Sequence, residues 1–263
     1  MKISVCVASY NGEKYIVEQI SSILAQLSCF DELIISDDGS TDGTLSVIQS
    51  VRDHRIVLIK NEGVKGPTFN FENALKRATG DVIFLADQDD VWLDGKVSAC
   101  INALNDFDLV VTNLMVVNGK LEVLRESMHS GLGLEARSIL MDFLFFSSPG
   151  CCIAFKKDVL DLVLPFPRNT PMHDYWIVMV VRLFGRVGYI SRPYILFRRH
   201  TTNVSTSLSS SNRSITERIR SRLTMGMLLF RRFFCVTLTA QRRAAVNRLK
   251  GVLSRYLADL LKK

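Results

Sequence analysis

The stretch Val82-Ile83-Phe84-Leu85-Ala86-Asp87-Gln88-Asp89-Asp90-Val91-Trp92 decides how the chain is read. An apolar run passes straight into three acids within four positions. Bounded upstream by Gly80-Asp81, the run reads as a strand buried on both faces of a mostly parallel sheet. The acids then stand at its carboxyl end, where open α/β sheets bind their ligands. Asp87 and Asp89 are two positions apart, so one loop can aim both at one point. Carboxylates that close repel one another unless a cation lies between them. A hard divalent ion holding a phosphate meets that need. The alternative is an acidic turn in which Asp90 caps the next helix.

Upstream, the same kind of strand recurs. Ile3 to Ala8 is a buried strand, followed by a turn at Ser9-Tyr10-Asn11-Gly12 and a helix through Ile16, Ile20, Ile23, Leu24 and Leu27. Leu33-Ile34-Ile35-Ser36 is a second strand and ends in Asp37-Asp38-Gly39-Ser40. Thr41-Asp42-Gly43-Thr44 opens a second helix, Ile56 to Ile59 is a third strand, and Phe69 to Ala78 a third helix closed by Gly80. The order β-α-β-α-β-α-β predicts parallel strands with right-handed crossovers. Two strand ends carry acid pairs. A carboxylate at such a tip can accept the ring N3–H of uracil or thymine, and Gly39 lets a base approach the backbone. An Asx turn with a helix cap would use the same residues. No GxGxxG follows the first strand and no GxxxxGK[ST] occurs, which excludes the usual dinucleotide and P-loop sites.

The 263 residues suffice for one large or two small domains. The apolar start is too short for a signal peptide, and no window reaches eighteen uncharged apolar residues, so no transmembrane helix is expected. The six cysteines show neither CxxC nor zinc spacing; Cys151 and Cys152 are expected to pack as small hydrophobes in a reducing cytoplasm. Net charge is +7, but residues 213–263 hold 13 Lys and Arg against Glu217 and Asp259, while the other 212 residues hold 20 basic and 24 acidic. The basic character therefore belongs to the tail. There Ile215, Ile219, Leu223, Met227, Phe230 and Phe234 recur at helical spacing, interleaved with arginines. Arg231-Arg232 break the apolar run. A basic amphipathic helix suits an anionic membrane surface; packing on the body or a second subunit, with solvated arginines, is the alternative. Nucleic acid is not an expected partner, since no stacking aromatics or nucleic-acid fold accompany the charge.

Three motifs in order, Val5 to Tyr15, Ile35 to Thr44 and Asp87 to Trp92, resemble the family 2 glycosyltransferases. The resemblance covers residues 1 to about 204. It implies an α/β, GT-A fold with a mostly parallel central sheet: a Rossmann-like nucleotide-sugar-binding half at 1–106, an acceptor and catalytic half at 107–204, and basic helices at 205–263. Phe107 to Val117 reads as a strand pair turning at Asn118-Gly119, and Pro149 to Phe155 as a strand beginning with a glycine. In the family a similar glycine segment borders the acceptor. Asp174, in Met172-His173-Asp174-Tyr175-Trp176, is similar in place to the family's catalytic base, although the usual Glu-Asp pair is His-Asp here. That form resembles bacterial rhamnosyl- and hexosyltransferases. The bland alternative is that Asp174 caps its helix.

Phe197-Arg198-Arg199-His200 resembles the family's Arg-x-His element. His200 would give nitrogen to the metal, and Arg198 or Arg199 would screen the departing diphosphate. The resemblance implies a nucleoside base over Ala8, Ser9 and Tyr10 with Asp38 at its N3–H, Asp87 at the ribose or metal, Arg199 at the diphosphate, and Asp89 with His200 on Mn²⁺ or Mg²⁺. Lys96 is read as a solvated helix residue rather than a diphosphate contact. The implied reaction is inverting transfer from a UDP-hexose or dTDP-rhamnose to a lipid-diphosphate-linked saccharide of a bacterial surface polysaccharide such as O-antigen or capsule. That places the protein in the cytoplasm, peripheral on the inner face of the cell membrane. Two rivals differ in kind: a haloacid dehalogenase-like phosphatase with Asp87 as nucleophile, which lacks the expected lysine and late acidic motif, and a non-catalytic nucleotide-sugar-binding module.

Overall fold

The computed structural model describes residues 1–128, 138–145, 149–199 and 215–260, with side chains of the last segment followed through residue 239. His200 and the serine-rich patch Ser205 to Ser211 lie outside the described residues. Among the described residues nine strands form one sheet.

The first four strands follow the expected alternation: β1 (Ile3–Ser9), α1 (Ile16–Leu24), β2 (Glu32–Asp37), α2 (Thr44–Ser50), β3 (Ile56–Lys60), α3 (Pro67–Leu75) and β4 (Val82–Asp87). Pairing of β1 with β2 and β4, and of β2 with β3, is parallel. Val5, Cys6 and Val7 of β1 and Ile83, Phe84 and Leu85 of β4 have no exposed surface, so helices must cover both faces. Helix α1 does this with Ile16, Ile20 and Ile23, one face at 3.6-residue spacing. Each such side chain stabilises the fold by about 1.5–3 kcal/mol relative to exposure.

Beyond β4 the sheet becomes mixed. The chain adds β5 (Val91–Trp92), α4 (Lys96–Ala103), β6 (Leu109–Val117), β7 (Val123–Arg125), α5 (Ile139–Phe145), β8 (Ile153–Lys156), α6 (Val159–Val163), α7 (His173–Phe184), β9 (Val187–Arg198) and α8 (Ile215–Leu260). Strand β8 runs antiparallel between β4 and β6, so the sheet is continuous across the expected division at 106/107. The hairpin at Asn118-Gly119 forms as expected, joining β6 to β7. Gly150–Cys152, expected as strand, is a single 3-10 turn; only from Ile153 does the chain enter the sheet.

Helix α8 begins on the body. Met225 and Leu229 are buried, Phe233 stacks on Phe184 of α7, and Arg232 lies 5.3 Å from the Trp176 ring centroid. The Arg232 guanidinium donates to the carbonyls of Leu164 and Pro165. That arginine is half-buried, against the expectation of solvated arginines for the packed alternative. No helix among the described residues is long and apolar enough to cross a membrane.

Candidate active site

Strand order reverses at β1, which has β2 on one side and β4 on the other. Such a switch point opens a crevice above the strand ends. In register, Ala8 lies beside Asp87 and Ser9 beside Asp37, so three tips converge there. Ser9 is buried, Ala8 half-buried, and Tyr10 exposes 53% of its surface. Asn11 takes a left-handed conformation (φ 49°), and its side-chain oxygen accepts from the Thr41 N–H. Gln88 ties the same turn to β4: its Oε1 accepts from Tyr10 N–H at 2.8 Å and its Nε2 donates to Tyr10 O at 3.0 Å. Gly12 is needed for this, because a Cβ there would collide with the Gln88 amide. Nothing in the sequence marked Gln88, since its partner is main chain.

The acids of β2 have separate surroundings. Asp37 is buried and closes an Asx turn, accepting from the N–H groups of Gly39 and Ser40. Asp38 accepts from Gly66 N–H and from the Asn61 amide, each at 2.7 Å, with Lys65 Nζ at 3.7 Å. It thus holds the start of α3, where Gly66 at φ 109° precedes Pro67. Each Asp38 oxygen retains a lone pair for a further donor.

The acids after β4 diverge more. Asp89 is half-buried, whereas Asp90 has no exposed surface. Asp90 Oδ1 accepts from Arg198 N–H at 3.1 Å, and its Oδ2 has no hydrogen-bond partner. It caps nothing: α4 starts after Gly95. Burial, then the charges of Asp89 and Asp174, push the Asp87 carboxyl up to about 7. Burial, then Asp89 and Asp87, push Asp90 well above the carboxylate range. The charge of Asp174 is thus near enough to act on the β4 acids. It sits in the first turn of α7 behind the N-cap Met172, so it is not the cap, and it accepts from Tyr175 N–H at 2.6 Å.

Two cations lie behind this cluster. Lys96, expected in solvent, is fully buried on α4: its Nζ donates to Cys151 O at 2.7 Å and lies 4.0 Å from the Trp92 ring centroid. Its neighbours Val97 and Cys100 are also buried, so it belongs to the inner face of the helix. Arg198 is 2% exposed and already committed, donating to Asp89 O, Gly119 O and the Glu18 carboxylate. It is a clamp between the β4 loop and α1, not a diphosphate screen. Arg199 is half-buried, its N–H bonded to Val117 O. His173 is buried and stacked on Phe71; burial lowers its pKa to about 3, so it stays neutral.

Asp87, Asp90 and Cys151 each offer one ligand atom, and these lie within 4.8 Å of one another. With an unpartnered Asp90 oxygen among them, the carboxylates fit the hard divalent ion expected from the sequence. Burial holds the Cys151 thiol protonated, which makes it the poorest donor of the three. The expected pairing of Asp89 with His200 involves a residue outside those described.

A sequence model of the family described as Glycosyl transferase family 2 matches residues 4–164. The chain is 28% identical over 208 residues to WfgD of Escherichia coli, a UDP-Glc:alpha-D-GlcNAc-diphosphoundecaprenol beta-1,3-glucosyltransferase, covering 78% of this chain and 79% of that protein. It is 30% identical over 213 residues to RfbG of Shigella flexneri, a dTDP-rhamnosyl transferase, covering 74% and 72%. The crystal structure of S. aureus TarS 1-349 in complex with UDP-GlcNAc superposes with a TM-score of 0.65 at 24% identity, covering 86% of this chain and 66% of that one. That likeness is one of fold, GT-A. Asp37, Asp38, Asp87, Asp89 and Asp90 fall inside the family match and Asp174 falls ten residues beyond it; with the match spanning most of the chain, the protein belongs to glycosyl transferase family 2.

Proposed function

We propose that the protein transfers a sugar, with inversion, from a UDP- or dTDP-sugar to a hydroxyl of a lipid-diphosphate-linked saccharide. One observation carries the reading: the helix-borne Asp174 lies near enough to the acids of a strand tip for its charge to raise Asp87. In this reading the base ring stacks at Ala8, Ser9 and Tyr10, whose exposed ring offers the stacking face. Asp38 accepts the N3–H, Asp87 meets the ribose or the metal, and Arg199 meets the diphosphate. Asp89 with Asp87 and Asp90 would hold Mn²⁺ or Mg²⁺, which when bound neutralises charge on the diphosphate.

Asp174 takes the proton of the acceptor hydroxyl. The acceptor oxygen bonds to the anomeric carbon from the face opposite the leaving group. The bond from that carbon to the diphosphate oxygen breaks, and its electron pair leaves with the nucleoside diphosphate. The two named relatives act on UDP-glucose and dTDP-rhamnose, and uracil and thymine present the same N3–H. A lipid-linked acceptor, and a tail with 13 basic residues against two acids, support a site of action on the inner face of an anionic membrane.

The test is Asp174→Asn, which preserves shape and removes the base. Turnover should fall about 10²–10⁴-fold, with nucleotide affinity within twofold of wild type. Near-wild-type turnover would place the base elsewhere.

A further inference from the structure

Helices α5 and α8 leave between them an apolar groove of about 800 Å³, within the size range of small-molecule pockets. Its walls are Phe143, Leu144, Ile219, Leu223, Met227 and Phe230. Leu223, Met227 and Phe230 are each more than 60% exposed, which is unusual for three large apolar side chains on one face. Arg218, Arg222 and Arg231 also line it, and no carboxylate does among the described residues. From Arg218 to Arg231 the helix rises about 20 Å, so the groove is elongated.

This groove touches α7, the helix that carries Asp174. Tyr175 follows Asp174 directly, and its hydroxyl donates to Phe143 O on the groove wall. Arg222 lies 4.6 Å from the Tyr175 ring centroid and donates to Leu144 O. The groove's wall and rim therefore touch α7 at the residue next in sequence to Asp174.

We propose that this groove binds the isoprenoid chain of the acceptor lipid, with Arg218 and Arg222 on its diphosphate; the inference rests on the lipid-linked acceptor proposed above. The chemistry matches part by part. A branched hydrocarbon chain fills an elongated apolar groove without leaving polar groups unpaired. Guanidinium forks bind phosphate oxygens in pairs. The saccharide beyond the diphosphate then reaches Asp174. A second copy of the chain is a poorer occupant, since a two-fold contact would set these arginines against their own equivalents.

The experiment uses the full chain, in detergent micelles, with a fluorescent isoprenyl diphosphate and no donor. Leu223→Glu and Met227→Glu alter exposed positions and leave the core alone. Each should weaken isoprenyl diphosphate binding at least tenfold. Turnover is then compared on two acceptors with one saccharide diphosphate, one isoprenoid and one short-chain and water-soluble. The wild-type preference in kcat/KM for the isoprenoid acceptor should collapse toward unity in both variants. Unchanged probe binding overturns the groove assignment, whether or not transfer is seen. So does a defect confined to co-sedimentation with acceptor-free anionic vesicles, which would make the face a bilayer contact, or to sedimentation velocity, which would make it a dimer contact. If no sugar is transferred to either acceptor while the probe still binds through Leu223 and Met227, the glycosyl-transfer reading fails and the groove stands.

Discussion

An ammonium group taken out of water is stabilised only if its surroundings replace the lost solvation. Lys96 has two replacements: the Cys151 carbonyl and the face of Trp92. Burial pulls its pKa down. In turn Lys96 offsets part of the repulsion raising Asp87. The acid cluster is thus partly neutralised from within. Lys96→Met should destabilise the protein by about 3–5 kcal/mol, leaving a carbonyl and the acids without their cation. A melting temperature within a degree of wild type would contradict this account. A sequence shows that residue 96 is a lysine near acids; it does not show that the side chain faces the core, unless the buried spacing of Val97 and Cys100 is weighed against the usual exposure of lysine.

Strand starts need fastening as much as strand tips need chemistry. Glu32, at the start of β2, accepts from Ser4 Oγ in β1, from Thr79 N–H and Oγ1 just before β4, and from Lys2 Nζ. Burial alone would raise its pKa, but these hydrogen bonds outweigh it and bring the carboxyl down to about 2. A carboxyl whose pKa falls on folding contributes stability that is present above its unfolded value, near 4.5, and lost as pH falls through about 2. Glu32→Gln should therefore cost about 1–3 kcal/mol at pH 7, with the gap to wild type closing between pH 4.5 and 2 in urea titrations. A gap independent of pH would mean that the charge is irrelevant.

At the other end of the chain, α8 changes character along its length. Met225 and Leu229 are buried and Phe233 packs on α7, while residues 240–263 carry seven Lys and Arg against Asp259. Truncation after residue 239 should leave melting unchanged and reduce co-sedimentation with anionic vesicles at low salt. Equal sedimentation of both forms would remove the tail from the membrane account.

Across the whole molecule, what was legible followed burial. Strands β1 to β4 are apolar on both faces and their helices show one apolar face, so their order and parallel pairing could be read directly. Strand β8 could not: four residues wedged antiparallel between β4 and β6 are placed by contacts made far away in sequence. Asp37, Asp38, Asp87, Asp89 and Asp90 could be found because charge ended a greasy run. Gln88 could not, nor could the burial of Lys96 or the clamping role of Arg198, because their partners are main-chain groups and charges on other elements. The alternative in which Asp90 caps the next helix does not hold, because α4 begins only after Gly95 and Asp90 accepts from Arg198 N–H instead. The haloacid dehalogenase alternative also loses ground here, since the chain belongs to glycosyl transferase family 2.

The central claim is that these strand-tip acids hold a nucleoside diphosphate together with a divalent ion. Calorimetric titration of the full chain with UDP and with dTDP, first in Mn²⁺ and then in excess chelator, tests it most directly. The account predicts that at least one nucleotide binds in Mn²⁺ and loses tenfold or more in affinity in chelator, and that Asp89→Ala abolishes the difference. Equal affinity with and without the metal, or no binding of either nucleotide, would contradict it.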